Sequence, residues 1–334
     1  MKDIYILGIE SSCDETSASI VKNGKQEINT TILSQIDIHM LYGGVVPEIA
    51  SRTHVKDITF VIDKCLKDSG LTIDKIDAIA VTYGPGLIGS LLVGIEAAKT
   101  LAYIYGKKLV PVHHIAGHIY ANNLEKELEF PLISLVISGG HTDLIYMKDH
   151  LSYENIGTTV DDAVGECYDK VARVMNLPYP GGPKVDLLAR EGKTTYTLPL
   201  PLKDDNYHFS FSGLKSAVIN LIHNEKQKGN EIRVNDMCAS FQEVVVQSLT
   251  TKTLKAMEER KVNNLILAGG VAANSSVREA FTDLCKKKGY SFSYPSIKYC
   301  SDNATMIAAA GYFLYKNERF SDLKLNGKST DELR

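Results

Sequence analysis

The chain has 334 residues, of which 44% are hydrophobic and 23% charged, and its formal net charge at pH 7 is −3. This is the composition of a globular protein long enough for two lobes that share a binding cleft. The net charge excludes a global basic field that would draw the whole protein onto nucleic acid. An RNA partner would therefore need a local basic patch or a second protein.

Cysteine usage and hydropathy indicate the compartment. The six cysteines are scattered without a CxxC pair, and Lys2 and Asp3 precede only a six-residue apolar run, which is not a signal-peptide pattern. No apolar run approaches the roughly 20 residues that span a bilayer. We therefore expect a reducing, cytoplasmic location and no membrane.

The first forty residues are predicted to form three strands. An apolar run at 4–9 is followed by a polar loop at 10–16, a second run at 17–21 and a third near 28–33. Asn23-Gly24 between the second and third runs is a strong hairpin signal. This order favours the opening of the actin, sugar-kinase and Hsp70 fold, although a plain β-meander has a similar pattern.

The next segments alternate between helix and strand. A helix is predicted at 54–67, a buried strand at 76–81, a helix at 87–105 and a strand at 108–112. The turn Tyr83-Gly-Pro-Gly86 precedes the second helix. It either holds an anion on backbone N–H groups or is only a tight corner.

The second half repeats the opening order. A strand at 131–137 ends in Ser138-Gly-Gly-His-Thr142, and a return strand follows at 143–147. Further helices are predicted at 159–175, 183–190, 235–261, 275–288 and 304–315, and strands at 264–267 and 290–294. We expect an α/β fold of the actin-like ATPase type: a first lobe at 1–130, completed by the helix at 304–325, and a second lobe at 131–303.

Two histidines and an aspartate are candidate metal ligands. His114 and His118 are four residues apart, so on a helix they share one face and can reach the same ion, or they are merely structural. The HExxH type of metallopeptidase is excluded because Ile115 occupies the position of its general base. Asp302, considered alone, is typical of a helix N-cap.

Glycine pairs favour nucleotide binding. They lie at 139–140, 181–182 and 269–270, each beside a regular element, where backbone amides can approach phosphate. P-loop and GxGxxG motifs are absent, which disfavours those two site types. Asp14, in the turn after the first strand, can face a cation or accept a proton, but aspartate is also an ordinary turn residue.

Nine short blocks are spread along nearly the whole chain. They are Gly8-Ile-Glu-Ser-Ser-Cys-Asp-Glu-Thr16, Gly43-Gly-Val-Val-Pro-Glu48, Gly84-Pro-Gly86, His113-His-Ile-Ala-Gly-His118, Ser138-Gly-Gly-His-Thr142, Tyr179-Pro-Gly-Gly-Pro183, Phe209-Ser-Phe-Ser-Gly-Leu-Lys215, Gly269-Gly-Val-Ala-Ala-Asn274 and Ser301-Asp-Asn-Ala304. In this order they closely resemble the bacterial TsaD (Gcp) family.

The resemblance implies an actin-like fold and a tRNA-modifying acyltransferase. Such an enzyme transfers threonylcarbamoyl from threonylcarbamoyl-AMP to the exocyclic amine of the adenosine that follows the anticodon in tRNAs reading codons that begin with A. The implied metal ligands are His114, His118 and Asp302, and the implied catalytic aspartate is Asp14. The implied adenylate-contacting residues are Val136, Ile137, Ser138, Gly139, Gly140, Asp169, Gly182, Asp186 and Asn274.

The same resemblance implies a cofactor and partners. The cofactor is one divalent metal ion per subunit, with iron as first choice and zinc or magnesium as alternatives. The partners are tRNA, a TsaB-like paralogue and a TsaE-like ATPase. One departure is Ala116, which stands where the family motif has glutamate, so a carboxylate beside the metal is expected to be missing.

Two other functions fit the same fold. A sugar- or acetate-kinase-like phosphotransferase would need a base for a hydroxyl acceptor and has no need of the histidine pair with Asp302. A nucleotide-gated scaffold of the actin or Hsp70 type would use the glycine turns only to drive closure. Metal content is the property that separates these alternatives from the acyltransferase.

Overall fold

The structure is a computed structural model that describes residues 2–201 and 205–333. Its contacts divide into two compact units. Unit 1 comprises Met1–Leu128, Asp149–Ser152 and Pro295–Arg334, and unit 2 comprises Glu129–Lys148 and Tyr153–Tyr294. The lobe boundaries given above stay a prediction from the sequence.

Each unit contains one five-stranded mixed sheet. The strands of unit 1 are β1 (Tyr5–Glu10), β2 (Glu15–Lys22), β3 (Gln26–Ser34), β4 (Ala78–Gly84) and β5 (Lys108–His113). Those of unit 2 are β6 (Leu132–Ile137), β7 (Thr142–Met147), β8 (Glu154–Thr158), β9 (Asn264–Ala268) and β10 (Ser291–Ser293).

The two sheets have the same topology. In unit 1 the order is β3-β2-β1-β4-β5, with β1 antiparallel to β2 and parallel to β4. In unit 2 the order is β10-β9-β6-β7-β8, with β6 antiparallel to β7 and parallel to β9. The predicted structural repeat is therefore confirmed, and a simple β-meander is excluded because each sheet also contains parallel strands.

Helices of at least five residues connect and cover the strands. In chain order they are α1 (Ile36–Met40), α2 (Pro47–Ser69), α3 (Ile88–Tyr105), α4 (His114–Tyr120), α5 (Val164–Val174), α6 (Gly181–Ala189), α7 (Ser212–Gln227), α8 (Val234–Arg260), α9 (Ser275–Lys288) and α10 (Ala304–Lys316).

Strands β1, β2 and β4 of unit 1 are almost entirely buried. Side chains of β1, β2 and β4 pack with those of α2 and α3 in one apolar cluster that includes Leu7, Ile62 and Leu91. Helix α10 packs across β1, β2, β4 and β5. It approaches β1 so closely that a Cβ on Gly8 would overlap the carbonyl oxygen of Ala304. This packing fixes the start of α10 relative to the sheet, and Asp302 lies just before that start.

The helix predicted at 159–175 begins five residues later, at Val164. Asp161 explains the difference, because its carboxylate accepts hydrogen bonds from the backbone N–H of Phe211 at 2.8 Å and the hydroxyl of Ser212 at 2.6 Å. The backbone N–H groups of Thr159 and Val160 also donate to the carbonyls of Thr142 and Phe209, so this stretch is bound to neighbouring segments before the helix begins. Strand β8, which precedes it, was missed because only Ile156 in its sequence is a strongly apolar residue.

Two further features concern unit 1. The corner at Gly84-Pro-Gly86 packs against the chain itself, since the Gly86 N–H donates to the Ser329 carbonyl, so the tight-corner interpretation is favoured.

Helix α3 is, among the described residues, the one helix long and apolar enough to cross a membrane. It packs against α2 and β4, and core helices often meet the same criterion, so this is weak evidence for a membrane span.

Candidate active site

The junction of strand β5 and helix α4 positions the two candidate histidines. The strand ends at His113, and α4 begins at His114 and continues through His118. His113 is the N-cap, because its Nδ1 accepts the Ile115 N–H at 3.2 Å. All seven residues of α4 are buried. The histidine spacing therefore places His114 and His118 on one face, while His113 has the structural role that its position in the helix predicts.

Asp302 does not cap α10. The N-cap is Asn303, whose side chain accepts the Met306 N–H at 2.9 Å. The carboxylate of Asp302 instead lies beside the histidines, with Oδ1 at 3.5 Å from His114 Nε2 and 3.2 Å from His118 Nε2. The N-cap interpretation of Asp302 is wrong because the next residue supplies that hydrogen bond.

These three side chains fit a metal ion. One ligand atom from each lies within 4.8 Å of the other two. Bonds of about 2.1 Å to a tetrahedral ion place its ligand atoms about 3.4 Å apart, close to the separations of 3.2 and 3.5 Å. The set of two imidazoles and one carboxylate suits zinc and iron(II) better than magnesium, which prefers oxygen ligands.

His118 supplies an independent test of that fit. Both ring nitrogens are buried, and neither makes a well-formed hydrogen bond within the described residues, although Asp302 Oδ1 lies 3.2 Å from Nε2. Burial lowers the pKa of His118 more than Asp302 raises it, which keeps the ring neutral. A buried neutral imidazole that faces a carboxylate without a well-formed hydrogen bond is costly unless something binds between the two groups, and a metal ion does so.

His114 is held from the opposite side by Glu10. Its Nδ1 lies 3.4 Å from Glu10 Oε2 and 3.2 Å from Ser12 Oγ, so Nε2 is directed toward Asp302. Burial lowers the pKa of His114, but the charges of Asp302 and Glu10 outweigh it and raise the pKa to about 9.

Glu10 supplies a carboxylate behind His114. It is fully buried at the end of β1 and accepts hydrogen bonds from the Ser12 N–H at 2.6 Å and the Thr82 hydroxyl at 2.5 Å. A carboxylate on the far nitrogen of a metal-binding histidine fixes its orientation and raises its basicity. Glu10 provides this contact from β1, but it belongs to the Gly8–Thr16 block and is not the carboxylate that Ala116 lacks, so the expectation about position 116 stays a prediction.

We expect Glu10→Gln to weaken metal binding about 10- to 100-fold, the usual effect of losing a carboxylate behind a histidine ligand. The amide keeps the size of the side chain but removes the charge that faces His114. Affinity is to be measured by competition with a chromogenic chelator. Thr82→Val is the control, because it removes one hydrogen bond to Glu10 and leaves the carboxylate in place. Equal affinities of Glu10→Gln and the wild type would contradict this role.

Asp14 lies in the turn between β1 and β2 and is buried. Its neighbour Glu15 has its pKa raised to about 10 by burial and by the charges of Asp14 and Asp302. The charge of Asp302 also raises the pKa of Cys13 in the same turn, after the larger effect of burial. The turn that carries Asp14 is therefore close enough to Asp302 to interact with it electrostatically.

In unit 2, the glycine turn after β6 leaves room for a ligand. Val136 and Ile137 end the strand, and the turn is closed by a bond from the Ser138 N–H to the His141 carbonyl at 2.9 Å. A Cβ built on Gly139 or Gly140 would meet nothing within 4 Å. This open backbone is what a phosphate-contacting turn requires.

Asp169 and Gly182 meet at the start of α6. Asp169 accepts the Gly181 N–H at 2.7 Å, and hydrogen bonds from Gly181 and Gly182 partly offset the burial that raises the pKa of this carboxyl. Asp169, which lies on α5, thus caps the N-terminal end of α6. Its carboxylate holds the glycine pair in place, which sequence patterns do not reveal because 11 residues separate Asp169 from the Gly181-Gly182 pair in the chain.

Asp186 and Asn274 belong to one hydrogen-bond network. Asp186 Oδ2 accepts the Ser275 N–H at 3.0 Å, and Asn274 Oδ1 caps α9 by accepting the Val277 N–H at 3.0 Å. Gln242 of α8 binds both residues, with bonds of 3.1 Å to Asp186 Oδ1 and 2.9 Å from Asn274 Nδ2. The structure thus brings together two predicted site residues that are far apart in sequence.

Glu10 and Gln242 are the two contributors that the sequence did not single out. Glu10 lies inside the first block, Gly8 to Thr16. A carboxylate at the end of a buried strand needs a polar partner, and this signal could have identified Glu10 as part of the site. Gln242 lies in a long helix with no motif around it. Only the folded arrangement shows what it contacts.

Comparison with known proteins identifies the family. The profile of the TsaD family, tRNA N6-adenosine threonylcarbamoyltransferase, matches residues 26–309. The tRNA N6-adenosine threonylcarbamoyltransferases of Staphylococcus aureus strains Newman and JH9 are each 57% identical to this chain over 333 residues, which are 99% of this chain and 98% of theirs.

Solved structures show the fold. The (R)-2-hydroxyglutaryl-CoA dehydratase component A of Acidaminococcus fermentans has a TM-score of 0.57 at 15% identity, covering 95% of this chain and 99% of its own. Full-length HypF, in a phosphate- and nucleotide-bound form, has a TM-score of 0.62 at 15% identity, covering 95% of this chain and 47% of its own.

The repeated mixed sheets and these structural neighbours define an α/β protein of the actin-like ATPase fold. The predicted fold class is confirmed. The chain belongs to the TsaD family, the tRNA N6-adenosine threonylcarbamoyltransferases. The predicted membership of this enzyme family is therefore confirmed as well.

Proposed function

We propose that this chain transfers the threonylcarbamoyl group of threonylcarbamoyl-AMP to the exocyclic amine of the adenosine 3′ of the anticodon, in tRNAs that read codons beginning with A, and releases AMP. The observation that carries the proposal is the set of two buried histidines, His114 and His118, with the partly exposed Asp302, in a chain of this family. A kinase or a nucleotide-gated scaffold has no need of such a set.

His114, His118 and Asp302 would hold one divalent ion per subunit, with iron as first choice and zinc or magnesium as alternatives. When bound, the ion supplies a Lewis acid able to polarise a carbonyl or phosphate oxygen. The protein's own contribution is to keep His118 neutral by burial and to orient His114 through Glu10.

The reaction forms one bond and breaks another. The adenosine amine attacks the carbamoyl carbon, a C–N bond forms, the C–O bond to the AMP phosphate breaks, and the amine loses a proton. In this proposal the carboxylate of Asp14 accepts that proton, as a general base in a buried turn. The mixed anhydride supplies the leaving group, so no covalent enzyme intermediate is required.

Unit 2 supplies the adenylate-binding residues in this proposal. The open turn at Ser138, Gly139 and Gly140, after Val136 and Ile137, would hold phosphate on backbone N–H groups. Asp169 and Gly182 form the second part of this surface, and Asp186 and Asn274 form the third.

The proposal includes partners and a location. The net charge of −3 gives no global attraction for tRNA, so help from a TsaB-like paralogue and a TsaE-like ATPase is consistent with the sequence. All six cysteines are free thiols, which suits a reducing cytoplasm.

A reconstitution tests the proposed function. Purified chain, the two partner proteins, threonylcarbamoyl-AMP and an unmodified tRNA of the ANN-reading class are incubated, and nucleosides of the digested tRNA are measured by mass spectrometry. We expect the modified adenosine only when this chain is present. Equal yield without it would contradict the proposal, and phosphorylation of a small acceptor by ATP in its place would favour the phosphotransferase.

A further inference from the structure

Gln242 lies at the centre of a polar cluster inside unit 2. It is only 3% exposed, on the long helix α8, and its amide faces side chains from α5 and α6 and from the start of α9. A buried amide has two acceptor sites and two N–H donors to satisfy. The partners of each end therefore decide which way the amide is oriented.

The oxygen end accepts two hydrogen bonds. Gln242 Oε1 receives the Tyr168 hydroxyl at 3.1 Å and Asn274 Nδ2 at 2.9 Å. Burial raises the pKa of Tyr168 well above its usual value, so this phenol stays protonated and acts as a donor at any physiological pH. The amide oxygen must face it.

The nitrogen end donates two hydrogen bonds. Gln242 Nε2 donates to Asp186 Oδ1 at 3.1 Å and to Ser276 Oγ at 2.8 Å. The amide is thus fully satisfied and its orientation is fixed. Its donor end faces a carboxylate and its acceptor end faces two donors, so a reversed amide would break this pattern at both ends.

This orientation determines what Asn274 and Asp186 can offer a ligand. Both N–H groups of Asn274 Nδ2 point inward, to Gln242 Oε1 at 2.9 Å and to the Tyr168 oxygen at 3.4 Å. Its Oδ1 uses one lone pair for the Val277 N–H and keeps a second. Asp186 has only acceptor oxygens. The pair therefore presents acceptors to groups that donate, such as ribose hydroxyls and the adenine amine.

We propose that Gln242 is a positioning residue for nucleotide binding, which orients Asn274 and Asp186 as hydrogen-bond acceptors for the adenosine part of the substrate. This inference rests on the proposed function, because it takes Asn274 and Asp186 as adenylate-contacting residues. Gln242 itself need not touch the nucleotide. It determines which atoms of Asn274 and Asp186 remain available to bind the nucleotide.

Gln242→Glu is the decisive variant because it changes one donor group into an acceptor at nearly constant shape. An ionised carboxylate there would lie about 3 Å from Asp186 Oδ1, and two carboxylates at that distance cannot both stay ionised, so the pair binds one extra proton. Below the raised pKa of the pair the proton restores a hydrogen bond. Above that pKa the repulsion separates the partners.

The experiment measures AMP affinity by calorimetry from pH 5.5 to 8.5 in wild type and variant. We expect Gln242→Glu to bind AMP about 10- to 100-fold more weakly than wild type at pH 8.5 and to recover most of that loss at pH 5.5. The ratio to wild type at each pH cancels the titration of AMP itself. Titratable groups around the pair formed by position 242 and Asp186 are Arg190 just after α6, Tyr168 on α5, and Lys193 and Glu243 at the adjoining groove of about 780 Å³.

Two further variants separate positioning from folding. Gln247→Glu places the same new charge on the same helix, at an exposed position lining that groove, and should bind AMP as the wild type does at every pH. Gln242→Met removes both ends of the amide and should weaken AMP binding equally across the pH range. It also tests the inference if Gln242→Glu fails to fold, since unchanged AMP affinity in Gln242→Met would overturn it.

The outcomes are distinct. A loss in Gln242→Glu that shrinks toward low pH supports the inference, and so does a raised KM for threonylcarbamoyl-AMP at little change in kcat. Wild-type affinity at pH 8.5, or a loss independent of pH, overturns the inference and leaves the proposed function intact. Failure of the wild-type protein to bind AMP at any pH would contradict the adenylate site itself, and the inference with it.

Discussion

Asp302→Asn is expected to remove most of the bound metal and to lower tRNA modification by more than about 100-fold. The carboxylate is the only anionic member of the ligand set formed with His114 and His118. Removing a carboxylate that only hydrogen-bonds a metal ligand already lowers metal affinity or activity about 10- to 100-fold, so removing a ligand itself should lower it further. Helix α10 should remain intact, because its cap is Asn303.

The first readout is the metal content of protein purified from cells grown in iron- or zinc-supplemented medium, measured by elemental analysis. The second is tRNA modification in the reconstituted assay. His118→Ala should show the same loss, since it removes one of the three candidate ligands. His113→Asn is the matched control, because it keeps an acceptor for the Ile115 N–H and should retain the metal. Full metal occupancy in both Asp302→Asn and His118→Ala would rule out this assignment.

The helical spacing of His114 and His118 was sufficient to predict that they share a face, because a helix fixes that relation locally. It could not add Asp302, which lies 184 positions after His118 (302 − 118) and joins the pair only because α10 packs across the sheet that ends in β5. Local preference was also ambiguous there: Asp302 and Asn303 are both good caps, and the structure uses the second.

The strands and helices that the sequence predicts best are the buried ones with strong periodicity. The two-sheet repeat followed from two apolar strands, each with a polar turn and a return strand, beginning near residues 4 and 131. The start of α5 did not follow from the local sequence, because Asp161 is engaged by the loop at 209–212, some fifty positions away. Gln242 went unnoticed for the same reason: its partners Tyr168, Asp186 and Asn274 come from three different segments.

Gly269→Ala is expected to lower the free energy of unfolding by about 3 kcal/mol or more. Gly269 follows β9 with φ 89° and ψ 170°, a backbone region that is essentially restricted to glycine. A Cβ there would also overlap the carbonyl oxygen of Ile137, at the end of β6. Strain of about 1–3 kcal/mol from each cause adds to a large effect for one methyl group.

The neighbouring glycine provides a control that differs only in its surroundings. Gly270→Ala adds the same methyl group where nothing lies within 4 Å, so its stability should stay within about 1 kcal/mol of the wild type. Urea unfolding curves measure both, and AMP calorimetry shows whether Gly269→Ala also disturbs the turn that leads to Asn274. Because Ile137 ends the strand that leads into the open Ser138–Gly140 turn, displacing it should weaken AMP binding as well as stability. Equal stability of the two variants would show that the close approach of β6 and Gly269 does not constrain the site.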